Sequence, residues 1–537
     1  MTNGFKMLQI KSIERHLVKD VLLHLRMLGL SLGVVFCSIT TASAQDTQCN
    51  SPSDINGQTI CSDNTIKNST NGSNSSKPAS PASPAKISGK GAYKGTFYEN
   101  DFHYLDDATL SEHDARDLHS RITDKWKNLS LSSNINLDLG GEFRTRFQSD
   151  NNGALNQPSG LDNNFFLTRL RAYANVEIGE HIRVFGEVID ARAQGVDTLN
   201  QLPVAEAPAD IRNAFIELHA PLKDGEVYVR GGRQELSFGS QRFVSPLDWA
   251  NARRSFEGVR VGYRSETLEL SAWRTRPQLS NGIFDTDISD DITFSGVYGT
   301  YHVLPDLTFD GFVFNLNNDE DIGNDSNIWT IGWRSEGRAN ALLWEVEIAK
   351  QTGWEENLLT GLDDDFESYA VTAGVGWDFS EIAPVLKNIW LYYDLAQGDD
   401  DPNDGKVETF NQLFPLAHAY FGHIDFVGRR NVESLSLRAL FKPHKRMSVS
   451  VGGHQLWRET TQDALFSAGG AAIRPALPGS RSIGQEIDLD VSVSLTQRAA
   501  LSAGYSRFFS DSFIEAGNPA DLDGAFEFSY AQIKFQF

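Results

Sequence analysis

Arginine is the residue through which this sequence is best placed to do chemistry. Between residues 140 and 280 there are 16 Arg and a single Lys, Lys223. A guanidinium is a planar fork that bonds two oxygens of a carboxylate at once, whereas an ammonium offers a point charge. The densest run is 231–262, GGRQELSFGSQRFVSPLDWANARRSFEGVRVG, which carries Arg233, Arg242, Arg253, Arg254 and Arg260 around Asp248. Arg144, Arg146, Arg169, Arg171 and Arg230 precede or flank it, several of them in strict alternation with apolar residues. These eleven residues are the candidate binding set for an anionic ligand. The competing reading is a structural lattice in which each Arg pairs with a carboxylate such as Glu142, Glu177, Glu187 or Glu217. That reading is the default for any single Arg, but a lattice alone does not require Arg over Lys so consistently.

Other chemistries have little support. His418 and His423 are five apart, not the i, i+4 spacing of a helical zinc pair, and the sequence contains neither HExxH nor GxSxG. Asp399, Asp401 and Asn403 imitate the start of a calcium loop, yet Asp404 stands where glycine is needed and Phe410 where the closing Glu belongs. A solvated acidic loop is the simpler account. No catalytic residue, metal or cofactor is expected, and a net charge of −23 argues against a nucleic-acid partner.

The elements that must position these arginines read as strands. From Leu129 onward, apolar and polar residues alternate with a period of two, divided by Gly, Asn, Asp and Pro. Arg169, Arg171, Tyr173, Asn175 and Glu177 interleave with Leu170, Ala172, Ala174, Val176 and Ile178. Eighteen such segments run from 135–148 through 164–178, 225–236, 255–265, 341–353 and 366–378 to 525–537. Short turns such as 178–181, 304–306 and 496–498 alternate with long inserts at 237–254, 277–290, 398–430 and 460–483. Strands of that length, with short turns on one side and long loops on the other, describe a bacterial outer-membrane barrel. The expected fold is all-β: a transmembrane, antiparallel, up-and-down barrel of 18 strands over 129–537, apolar phase to lipid and polar phase to water. Its closing segment, AQIKFQF, ends on Phe537, resembling the last strand by which the barrel assembly machinery recognises such proteins. A soluble array of β domains is the competing architecture.

Upstream, basic residues through Arg26, the 12-residue apolar stretch Leu28–Ile39 and Ala42-Ser43-Ala44 read as a signal peptide over 1–44. Residues 45–128 read as a flexible extension, with Cys49 and Cys61 able to close a small disulfide loop in an oxidising compartment. The tract NSTNGSNSSKPASPASPA (68–85) lies behind them, and a short helix is predicted within 114–126.

The block GRQELSFGSQRFVSPLDWANARRSFEGVRV (232–261) resembles the signature of the alginate export family. FNQLFPLAHAYFGHIDFVGRRNV (410–432) is similar to a second family segment, and AQIKFQF (531–537) to its closing strand. The resemblance covers roughly 129–537. It implies an 18-stranded outer-membrane barrel whose Arg-rich lumen passes an anionic uronate polysaccharide or its oligomers. Arg233, Gln234, Glu235, Gly239, Arg242, Trp249, Arg253, Arg254 and Gly258 match the signature as members, without individual ligand roles. The extension 45–128 departs from the family pattern. The expected partners are an anionic polysaccharide or oligosaccharide, outer-membrane lipid and lipopolysaccharide, and the assembly machinery. A general anion-preferring porin, or an adhesive barrel acting through its outer loops, is the alternative. The segment 237–254 is expected to fold into or across the mouth, bringing Arg242, Arg253 and Arg254 to the constriction beside Asp248.

Overall fold

The computed structural model describes residues 93–102, 105, 122–151, 162–195, 205–278, 291–319, 325–358, 360–516 and 525–537. The signal-peptide reading, Cys49, Cys61, the 68–85 tract and most of the predicted helix lie outside the described residues. Only the end of that helix is described, a 3-10 turn at Asp124–Trp126.

Eighteen long strands form the wall: β1 (Ile135–Asn151), β2 (Asn163–Ile178), β3 (Ile182–Gln194), β4 (Ala207–Leu222), β5 (Gly225–Gln234) and β6 (Phe256–Ser265). They continue as β7 (Leu268–Pro277), β8 (Ile292–Leu304), β9 (Leu307–Asn318), β10 (Ser326–Ala339), β11 (Leu342–Asn357) and β12 (Leu362–Asp378). The last six are β13 (Leu386–Ala396), β14 (Val432–His444), β15 (Met447–Trp457), β16 (Ser482–Ser494), β17 (Ala499–Ser510) and β18 (Ala525–Gln536). Each pairs antiparallel with the next, and β1 pairs with β18 from Glu142↔Gln536 to Asn151↔Glu527, which closes the barrel. Closure joins the two outer edges of the sheet, the condition for a sheet to sit in lipid.

The two faces follow the period of two. On β2, Phe166 and Leu170 point outward and are exposed, while Arg169 and Arg171 point inward and are fully buried. Val229, Val259, Val261, Val297, Ile331, Leu435 and Leu437 continue the exposed apolar band. Phe166, Trp329 and Tyr393 lie on it towards the loop ends, and Tyr301, Phe309 and Trp377 towards the turns. Aromatic girdles of this kind mark the two membrane interfaces.

Two expectations need correction. Strands β11 and β12 run about four residues further than the alternation indicates, pairing Glu355 with Asp364 and Glu356 with Asp363. There the hairpin has left the membrane, both faces are polar, and the period of two no longer marks it. The inner phase is also not uniformly polar. On β7 to β9 it consists of Trp273, Phe294, Tyr298, Phe312 and Phe314, which pack with Leu236, Phe243, Val244, Phe410, Tyr420 and Ile424 from two long loops. Each such side chain contributes roughly 1.5–3 kcal/mol by leaving water, so the loops are folded into the barrel as a core rather than left in solvent.

Candidate functional site

Ladder register places the cations. Arg144 on β1 stands directly opposite Lys534 on β18 and Arg169 on β2, so three positive side chains lie abreast on the inner face. Arg230 and Arg260 are likewise directly opposite across β5 and β6. Like charges in such pairs repel, and the row needs anions from elsewhere. Glu142 on β1 supplies one, bonding Arg169 Nε at 3.1 Å.

The second anion comes from the loop between β5 and β6, which turns inward where Gly232 and Gly258 face each other. Gly232 sits at φ +126, and a Cβ there would lie 2.3 Å from the Ala214 carbonyl oxygen, so no side chain fits. Inside the barrel, Asp248 accepts from Arg169 Nη2 at 2.8 Å, and its carbonyl accepts from Arg144 Nη1 at 2.9 Å. Arg253 also bonds Asp248 and holds Glu235 through two bonds of 2.6 and 2.8 Å. Burial works against the Asp248 anion, but Arg253 and Arg169 outweigh it and hold the carboxyl well below its usual range. Asn251 finishes the clamp, donating to the carbonyls of Thr168, Arg192 and Ala205.

Trp249 links this loop to the one between β13 and β14. The Arg146 guanidinium lies 3.6 Å from one face of its ring. His418 stacks on it at 3.6 Å with planes 7° apart, and His423 stacks on His418 at 4.6 Å. The two loops also exchange backbone bonds, Ser245 N to Phe414 O and Phe414 N to Phe243 O, each 2.9 Å. The second loop is tied to the wall by Ile424 N to Glu486 (2.9 Å), His423 to Asp490 (2.7 Å) and Arg429 to Asp394 (2.9 Å). Gly422, at φ +102, permits this approach, since a Cβ there would lie 2.2 Å from Glu486 Cδ.

The eleven predicted residues separate accordingly. Arg144, Arg146, Arg169, Asp248 and Arg253 converge on one cluster. Arg171 pairs with Glu187 at 2.6 Å and Arg230 with Glu217 at 2.6 Å, nearer the turns. Arg242 does not join Asp248: it crosses to β11 and bonds Glu345 at 2.7 Å and Glu347 at 3.0 Å. Arg254 also stays away from Asp248, over the Phe414 ring and within 3.4–3.5 Å of the Ser245 and Pro415 carbonyls. Arg233 pairs in the ladder with Glu257 and bonds it at 3.2 Å, but its side chain is buried, donating to the Ile211 carbonyl at 2.8 Å and lying 3.7 Å from the buried Asp210. Arg260 faces the lumen and bonds Ser271 Oγ at 2.8 and 3.1 Å.

The lattice reading thus holds for Arg169, Arg171, Arg230, Arg233, Arg242 and Arg253. Among the described residues Arg144, Arg146, Arg254 and Arg260 have no carboxylate within ion-pair distance, and of these Arg254 and Arg260 are only half-buried. Two further half-buried cations were missed. Arg438 donates to the carbonyls of Ala419 and Tyr420 at 2.7 Å, and Lys534 completes the row with Arg144. Both sit on the polar phase of their strands, after Ser434 and Ser436 and between Gln532 and Gln536, so strand phase alone would have found them.

The family model described as alginate export matches residues 135–528. No curated protein matches the sequence significantly. Among solved structures, Pseudomonas aeruginosa OccK3 (OpdO) is similar at 13% identity with a TM-score of 0.48, over 74% of this chain and 96% of that one. OccD3 (OpdP) of the same organism gives 13% and 0.46 over 74% and 91%. OccK2 (OpdF), solved in complex with glucuronate, gives 11% and 0.47 over 75% and 98%. With the matched residues spanning nearly the whole wall, the chain belongs to the alginate export family and is a transport barrel of the bacterial outer membrane.

Proposed function

We propose that the barrel passes an anionic, uronate-type polysaccharide or its oligomers, with half-buried luminal cations lowering the barrier to carboxylates. The supporting observation is that Arg254, Arg260, Arg438 and Lys534 face the interior with no carboxylate in ion-pair distance among the described residues. Arg144 and Arg146 are buried and spent on carbonyls, side-chain amides and Trp249. Rings of cationic side chains set selectivity for anions in pores. A polymer carrying one carboxylate per sugar meets such groups in succession, each engaging weakly enough to let go.

Of the predicted set, Arg254 and Arg260 bind the passing chain in this reading. Arg144, Arg146, Arg169, Arg253 and Asp248 position the loop that shapes the route. Lipid, lipopolysaccharide and the assembly machinery are partners of the wall and of the closing strand that ends at Phe537. No residue is assigned a catalytic role. The test is the reversal potential across a planar bilayer under a salt gradient. Anion preference that falls when Arg260 and Lys534 are both replaced by Ala supports the proposal. A cation-selective pore indifferent to these changes refutes it.

A further inference from the structure

The expected mobile extension over 45–128 does not describe all of its residues: 93–102 and 122–128 are packed against the barrel wall. Phe97 and Tyr98 are buried among Tyr173, Phe185 and Phe215, which line the inner face of β2, β3 and β4 towards the turns. Phe97 lies 4.9 Å from Tyr173, and Tyr98 meets Phe185 and Phe215 edge-on at 5.7 and 5.2 Å.

The wall's guanidinium groups hold the segment down. Arg171 lies 3.9 Å over the Phe97 ring and donates to the Gly95 carbonyl at 3.1 Å. Arg230 lies 4.3 Å over Tyr98, and Arg183 donates to the Tyr98 carbonyl at 3.3 Å. The Tyr98 hydroxyl donates to the Glu235 carbonyl at 2.7 Å, at the root of the inward loop. Glu99 beside it is exposed, in the field of Arg260 and Arg230. Further along the chain, Lys127 donates to the Phe537 carbonyl at 3.2 Å and Asp124 pairs with Arg498, which fastens the segment beside the end of β18.

We propose that residues 93–102 are a built-in plug of the turn-side half of the lumen, seated on the lattice arginines Arg171, Arg183 and Arg230. The segment offers backbone carbonyl oxygens to Arg171 and Arg183 and aromatic rings to Arg171 and Arg230. Arg171 Nη2 and Arg230 Nη1 are buried and have no hydrogen-bond partner among the described residues, so the seat does not saturate the arginines that hold it. Two aromatic side chains and backbone carbonyl acceptors carry the seat described above. The occlusion does not rest on the polyuronate reading above.

Single-channel recording of the full chain in potassium chloride, with no polymer present, tests the plug. Replacing Phe97→Ala with Tyr98→Ala shifts the ratio of released to seated plug by about 100-fold or more, from the loss of buried aromatic packing. The channel then dwells at a higher conductance level than the unaltered protein. In the opposite arm, Tyr98→Cys with Phe215→Cys, in a chain with Cys37→Ser, Cys49→Ser and Cys61→Ser, is bridged by a short thiol-reactive bis-maleimide whose spacer contains a cleavable disulfide. The bridged channel stays at the lower level, and reductant returns the higher one. Equal levels and dwell times before and after cleavage overturn the plug, whether or not the alanine variant folds. A channel that opens on cleavage yet is indifferent to an added oligouronate upholds the plug and overturns the polymer reading instead.

Discussion

Arg253 distinguishes a positioning arginine from a selectivity arginine. Its Nε and Nη2 bond both oxygens of Glu235, and both side chains are within 1% of complete burial. Arg253→Ala strands the Glu235 carboxylate in the interior, a loss of about 3–5 kcal/mol for breaking a buried pair from one side. Asp248 keeps Arg169 at 2.8 Å, and the wall keeps its ladders, so the cost falls on the inward loop rather than on the barrel. The loop amides report it. Ser245 N bonds Phe414 O and Arg254 N bonds Pro246 O, both at 2.9 Å. If opening of the loop governs their exchange with deuterium, 3–5 kcal/mol accelerates it by on the order of 10²–10³-fold or more. Adding Glu235→Gln removes the stranded charge and recovers ~1–3 kcal/mol, so the double variant exchanges more slowly than the single one. Anion preference changes little in either. Exchange within about threefold of the unaltered protein, or a double variant looser than the single, refutes the pairing as the loop's anchor.

Arg260→Ala and Lys534→Ala act the other way. Each lowers the anion-to-cation permeability ratio by roughly two- to fivefold, the ~0.4–1 kcal/mol of a half-exposed ion pair, and leaves loop exchange unchanged. His423 makes the second loop sensitive to alkali. Burial disfavours its charge, but Asp488 and Asp490 outweigh that and hold its pKa up at about 9. A histidine raised on folding contributes fully below its unfolded value of about 6.5 and loses that contribution as pH rises through about 9. Open-channel noise should therefore grow between those values, and His423→Ala should abolish the pH dependence. Gly422→Ala places a side chain at φ +102 against Glu486. Strain of about 1–3 kcal/mol frees the loop, read as increased Trp249 fluorescence quenching by added iodide.

The wall was legible because a strand in a membrane must alternate, and Arg169, Leu170 and Arg171 show it without any tertiary knowledge. The hairpin ends at Glu355 and Asp364 were not, because above the membrane both faces meet water. The inward turn of the loop after β5 was legible from the density of Arg around Asp248, but the destinations of its arginines were not. Arg242 finds Glu345 and Glu347 more than a hundred residues away, and no local spacing encodes that distance. Arg233 likewise turns on contacts that no local spacing encodes, since its partners Ile211 and Glu257 come from the two neighbouring strands. The seating of Phe97 and Tyr98 was hidden by the Ser/Asn/Pro tract before them, which draws the whole extension into one low-complexity class although TFYEND breaks its composition.

Transport itself is the most direct measurement. In proteoliposomes carrying the full chain, flux of a fluorescent oligouronate is compared with that of a neutral oligoglucan of equal length. The oligouronate should cross faster, and its advantage should shrink when Arg254, Arg260, Arg438 and Lys534 are all replaced by Ala. Equal flux of the two oligosaccharides, or an advantage untouched by those replacements, contradicts the account.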